Sequence, residues 1–227
     1  MNMIDFLAIA IIFFGAFAYF IDSLSLKIRL ISGISSNVAI FNHMSLVSMM
    51  LNRFSVALLL PILGYLIDVG VNQNYLIKVI SSSILVYVIM NSLLILFSFK
   101  ITVFISSFLR FYGQAAGKIQ KEIFSIKNYY PDLPSALFYF LIIVGFFLPA
   151  IVASFFPEWR ATIMQLGFTI NVFGTLLNVF FIERKVSLAI NSGIKKEVVM
   201  LIRQILIGRF LGALVASLFI FSILFFV

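Results

Sequence analysis

Long apolar runs broken by short polar connections set the pattern of this chain. The runs predict helices over about 4–29, 38–66, 75–99, 135–156, 161–182 and 205–227. Each is of the order of the ~20 residues needed to cross a hydrocarbon core. The first run, Ile4–Phe20, has no basic segment ahead of it and no small-x-small cleavage site behind it. It therefore reads as a retained span that runs helically towards Arg29, not as a signal peptide. Pro61 and Pro149 fall inside spans, where a missing N–H predicts a kink. Pro131 and Pro134, flanking Asp132, mark the start of the fourth span. The pattern predicts an all-α fold: a polytopic membrane helical bundle of about six transmembrane helices, forming a single domain over 1–227.

The one long connection, Ile101–Pro134, has a pattern of its own. Ile119, Ile123 and Ile126 share one helical face, opposite Lys118, Lys121, Glu122 and Lys127. That is the signature of a basic segment lying in the interface against anionic membrane lipids, between spans 3 and 4; an ordinary connector is the alternative. The loop charges then set the orientation. Lys27, Arg29, Lys100, Arg110, Lys118, Lys121, Lys127, Arg184, Lys185, Lys195, Lys196, Arg203 and Arg209 belong to one side, and only Lys78 and Arg160 to the other. The cation-rich side is expected to be cytoplasmic, which places both termini outside the cytoplasm.

Composition narrows the chemistry. The chain is 63% hydrophobic and 11% charged, with a mean hydropathy of +1.18, too apolar for a soluble domain of its size. With no cysteine, thiolate catalysis and Cys-ligated metals are excluded, and the single histidine, His43, argues against a His-based metal site or a Ser/His/Asp triad. No phosphate-cradling glycine loop is present. The net charge of +8 is spread along loops instead of forming a basic face, so no nucleic-acid partner is expected. Four Asp and four Glu without close pairs speak against an enzyme acting on polyprenyl phosphates. No cofactor and no metal are expected.

Polar residues inside the spans are the informative exceptions. Asn42, Ser45, Met49, Asn52 and Arg53 fall at helical spacing on span 2, with Arg53 near its middle. An arginine at that depth costs about 2.5–3.5 kcal/mol even on the lenient insertion scale. A buried acid, a water-filled cavity or an anionic ligand must offset that cost; Asp68 is the nearest acid along the helix. Span 5 carries Arg160, Gly167, Asn171, Gly174 and Asn178 in one stripe, widened by Gln165 and Thr169. At the end of span 1, Asp22, Ser25 and Arg29 share a face, so Asp22 is expected to hold Arg29. Two readings stand side by side: helix packing cemented by polar contacts, and a polar cavity whose arginines face a phosphate-bearing substrate. Arginine suits phosphate because its fork donates two parallel bonds and keeps its charge. The candidate substrate-binding residues are Arg53, Arg29, Asp22, Arg160, Asn52, Asn171, Asn42 and Gln165. Gly208, Gly212 and Ala216 form a small-residue ridge on span 6, available for packing within the chain or between copies as a homo-oligomer.

The same segments carry a family resemblance. Ile21-Asp22-Ser23-Leu24…Ile28-Arg29-Leu30 is similar to the end of the first span in the Amj family, the alternate lipid II flippases of bacteria. Asn52-Arg53-x-Ser55…Pro61-Ile62-Leu63-Gly64…Ile67-Asp68 resembles that family's next span and turn. Glu158-Trp159-Arg160-Ala161-Thr162…Gln165-Leu166…Ile170-Asn171…Thr175 resembles its third signature. The resemblance covers about residues 18–185, with departures in the 28 phenylalanines and at Ser32. It implies a flippase of the bacterial cytoplasmic membrane that carries the undecaprenyl-pyrophosphate-linked peptidoglycan precursor to the outer leaflet. Transport of another polyprenyl-linked glycolipid, small-solute transport and a structural membrane subunit are the alternatives.

Overall fold

Eight α-helices account for nearly all of the described chain. They are α1 (Met3–Ile34), α2 (Val38–Asp68), α3 (Gln73–Leu96), α4 (Ser98–Phe111), α5 (Leu133–Phe155), α6 (Arg160–Leu177), α7 (Arg184–Asn191) and α8 (Lys195–Ser222). A 3-10 turn, Pro157–Trp159, leads into α6, and a π-helical segment, Asn178–Glu183, joins α6 to α7 without a break. The structure, a computed structural model, describes residues 2–34, 38–111 and 130–225; for 38–42 and 109–111 it describes the backbone alone.

Local chemistry fixes the ends of several elements. Gly70 takes φ +73° in the turn between α2 and α3, a backbone region that favours glycine. Two residues later the Asn72 side chain accepts from the backbone N–H of Asn74 and Tyr75 and so caps α3. Asp132 caps α5 by accepting from the Ser135 N–H at 3.1 Å and the Ser135 hydroxyl at 2.6 Å. Gly193, at φ +70°, separates α7 from α8.

Six helical stretches among the described residues are long and apolar enough to cross a membrane, and the chain is a multi-pass membrane protein. The helices run past the apolar windows read from sequence. α1 continues to Ile34, and α8 starts at Lys195, ahead of its apolar window, where Lys195, Lys196 and Arg203 sustain a helix while leaving the hydrocarbon. Span 3 ends at Phe97 and restarts as α4, a helix the apolar pattern did not predict. Even-numbered crossings put the start of α1 and the end of α8 at one end of the bundle, together with the α2–α3 and α5–α6 turns. The basic face of Ile119, Ile123 and Ile126 opposite Lys118, Lys121, Glu122 and Lys127 lies outside the described residues.

α1 is the hub, packed on α2, α3 and α8, while α5 bridges α3, α8 and α6. Their shared core includes Ile11, Ile77, Ile84, Phe147, Ile151 and Ile205, all fully buried. Glycines set how closely the helices approach. A Cβ at Gly208 would strike the Asp132 carbonyl, and one at Gly212 the Ala136 carbonyl. Gly208 and Gly212 on the α8 ridge therefore pack against α5 of the same chain, the within-chain alternative of the two read from sequence. α2 and α6 are the peripheral helices, α2 resting mainly on α1 and α6 mainly on α5.

Candidate functional site

Polar groups of α1 reach across to its neighbours at three successive levels. The deepest cluster forms around Asp22. Arg209 on α8 donates to Asp22 Oδ2 at 2.7 Å and to the Asp22 carbonyl at 3.2 Å, and the Tyr139 hydroxyl on α5 donates to the same Oδ2 at 2.8 Å. The guanidinium also lies 4.8 Å from the Tyr139 ring centroid, close enough for a cation–π contact. Tyr87 stacks on Tyr139 at 5.6 Å, and Ser23 sits 3.1 Å from the Tyr87 hydroxyl. Both tyrosines and Arg209 are buried, so each charge here has a partner in hydrocarbon-like surroundings, as burial requires.

Lys27 stands a little over one turn further on. It is fully buried, and its ammonium donates to the Ser98 hydroxyl at the first residue of α4. The bond ties the start of α4 back to α1.

At the third level Arg29 pairs with Glu183, the last residue of the π-helical segment, and donates from Nε to the Ser45 hydroxyl of α2 at 3.1 Å. The pair borders a cavity of about 350 Å³ that is also lined by Ser187, Ile190 and Asn191 of α7. The sequence expectation that Asp22 holds Arg29 is thus corrected. The two residues share a face but lie about 10 Å apart along the axis, and each finds a nearer partner on another helix.

Arg53 has a different environment. Ser45, Ser48, Ser55, Leu59, Leu63 and Leu66 turn α2's buried face towards α1. Arg53 lies about 120° round the helix from the centre of that face at 100° per residue. It is exposed and has no hydrogen-bond or ion-pair partner among the described residues. Asp68, the acid considered for it, pairs with Arg160 at the start of α6. The Arg29–Glu183 and Asp68–Arg160 pairs lie at opposite ends of α2. From Ser45 to Asp68 the helix rises about 34 Å at 1.5 Å per residue, close to the ~30 Å of a hydrocarbon core. Arg53 sits between them, about 12 Å above the Ser45 level by the same rise.

The candidate residues are therefore not gathered in one cavity. Arg29 lines the pocket, Asp22 belongs to the inner cluster, Arg53 is exposed, and Arg160 is paired with Asp68. Asn52 is half-buried beside Arg53, and the Asn42 side chain lies outside the described residues. On α6, Gly167 and Gly174 press against α5, and Asn171 Oδ1 is the atom nearest a Cβ at Gly145. That half of the stripe is a packing seam, in which Asn171 Oδ1 and Asn178 Oδ1 are buried without partners among the described residues. Gln165 and Thr169 are exposed and do not share its face. His43 is exposed too.

Sequence reading counted Lys27 and Arg209 only among the charges that set the orientation, and gave no role to Glu183, Tyr139 or Tyr87. Arg209 carried a signal, since an arginine inside an apolar run needs a partner; the tyrosines carried none. No group of three or more His, Asp or Glu side chains among the described residues stands together as a metal site. Compared with known proteins, the chain matches no family model, no curated protein and no solved structure.

Proposed function

We propose that this protein moves a phosphate-headed polyprenyl lipid, the undecaprenyl-pyrophosphate-linked peptidoglycan precursor lipid II, across the bacterial cytoplasmic membrane without transforming it. The observation that carries the reading is Arg53. It is an exposed arginine part-way along a membrane helix, with no partner among the described residues, while Asp22, Asp68, Asp132 and Glu183 are each paired with another cation. Such a charge at depth costs about 2.5–3.5 kcal/mol, and an anionic headgroup on its way across the bilayer offsets that cost. Peripheral helices suit the task, because a lipid reaching α2 from the side keeps its chain in the bilayer while its head meets Arg53. Arg29 supplies a second cation near one membrane face. The choice of lipid II among phosphate-headed lipids rests on the resemblance of residues 18–185 to the Amj family.

The test is transport of fluorescent lipid II between leaflets of proteoliposomes. Arg53→Ala is expected to abolish transport in a protein that inserts and folds normally. Arg53→Lys is expected to recover little, since an ammonium lacks the bidentate fork. A folded Arg53→Ala protein that moves lipid II at the wild-type rate overturns the proposal.

A further inference from the structure

The pocket beside Arg29 has a feature that transport alone does not require: it is already occupied by an anion of the protein's own. Glu183 holds the Arg29 guanidinium, and both side chains border the cavity, at 15% and 25% exposure. The pair opens onto about 350 Å³ of space with two further polar side chains, Ser187 and Asn191, on the wall. Arg29 is itself held from behind, because its Nε donates to Ser45. Its terminal nitrogens are thus fixed in direction, as a receptor for an anion needs them to be.

The second observation concerns the element that carries Glu183. The segment Asn178–Glu183 is π-helical and lies in the middle of an otherwise α-helical run from α6 into α7. A π turn is rare and recurs where a helix serves a function beyond spanning, since its extra residue re-aims the side chains that follow. Here it begins at Asn178, whose Oδ1 is buried without a partner among the described residues. Glu183 therefore sits on the least regular part of α6–α7, where a shift in register breaks fewer well-formed contacts than it would in the Gly167–Gly145 seam.

Resting on the reading of a phosphate-headed substrate, we infer that the Arg29 pocket is the headgroup receptor at one membrane face, and that Glu183 is a built-in competitor which the phosphate displaces. The chemistry favours exchange. A carboxylate brings one negative charge, whereas a pyrophosphate brings at least two and more acceptor oxygens to the same fork. Ser187 and Asn191 add hydrogen-bonding groups for the atoms next to the phosphate. With the pocket empty, Glu183 neutralises Arg29 and keeps other anions out.

Binding decides the matter independently of transport. The protein is placed in nanodiscs of phosphatidylcholine, and bound ligand is counted by native mass spectrometry as undecaprenyl pyrophosphate is titrated in. A parallel arm uses inorganic pyrophosphate. Glu183→Gln removes the competitor and is expected to tighten binding about ten-fold; Arg29→Ala is expected to abolish the gain in the Glu183→Gln background. Glu183→Asp, which keeps the charge, is expected to bind like the wild type, and thermal unfolding of each variant separates a binding change from misfolding. Tightening in the lipid arm alone assigns the pocket to a lipid headgroup, and tightening in both arms assigns it to the phosphate group itself; either supports the inference. Unchanged or weaker binding by a folded Glu183→Gln protein overturns it. If Arg53→Ala still blocks transport in that case, the transport reading stands and the pocket assignment alone fails. The reverse pattern leaves a phosphate receptor in a protein that is not a flippase.

Discussion

Removing the cation from the Asp22 cluster is the sharpest test of how this bundle is held together. Arg209→Leu deletes two hydrogen bonds from Nη1 to Asp22, at 2.7 and 3.2 Å, and the contact of the guanidinium with the Tyr139 ring. The Tyr139 hydroxyl, 2.8 Å from Oδ2, then remains the one side-chain donor described for the carboxylate. Breaking a buried pair by removing one partner costs about 3–5 kcal/mol, because an uncompensated charge stays behind. The upper part of that range applies to a site 3% exposed on the arginine side, the lower part to one 16% exposed on the aspartate side, so about 3–4 kcal/mol is expected. Asp22→Asn strands Arg209 in turn. The double variant, Asp22→Asn with Arg209→Leu, leaves no charge and is expected to recover most of the loss, so that the two single losses do not add. Equilibrium unfolding in mixed detergent micelles measures all four proteins. An Arg209→Leu variant within about 1 kcal/mol of the wild type, or a cycle that is merely additive, refutes the assignment of this pair as the inner fastening of α1, α5 and α8.

Other elements make separate predictions. Gly212→Leu puts a side chain into the Ala136 backbone and is expected to lower stability by about 1–3 kcal/mol, read as folded yield in detergent. Neutralising Asp68 is expected to change stability by less than about 1 kcal/mol, since its side chain is 61% exposed; a larger loss in the unfolding assay shows a strongly desolvated pair instead. Lys27→Met trades a buried ammonium for an apolar chain of similar length and is expected to be neutral or stabilising in the same assay, with α4 loosened from α1 in hydrogen exchange. A periplasm-active reporter fused after Val227 is expected to be active and a cytoplasm-active one silent; the opposite result reverses the orientation drawn from the loop charges.

The six crossings were legible because apolar length is a property of contiguous residues, and no partner has to be known to read it. The ion pairs were not. Asp22 and Arg29 share a face of α1, but Asp22 ends on Arg209 and Arg29 on Glu183, partners far away in the chain. Helical periodicity says which way a side chain points and nothing about which helix comes to meet it. The glycines of α6 were read as one stripe with Asn171; the packing half of that reading stands against Gly145, while Gln165 and Thr169 fall away from it. The α3–α4 break at Phe97 had no proline or glycine to announce it. The π-helical segment likewise leaves no mark in hydropathy.

The spacing of the two pairs that bracket α2 has a consequence for the membrane the protein lives in. Arg29–Glu183 and Asp68–Arg160 stand about 34 Å apart along the helix, so they behave as the two marks of a ruler laid across the bilayer. A membrane whose hydrocarbon is several ångströms thicker draws at least one pair inward and raises the cost of its charges; a thinner one leaves apolar side chains near the ends, such as Leu46 and Val47, against water. Lipid chain length alone, with no change in protein or substrate, therefore sets how firmly the ends of α2 and α6 are tied together.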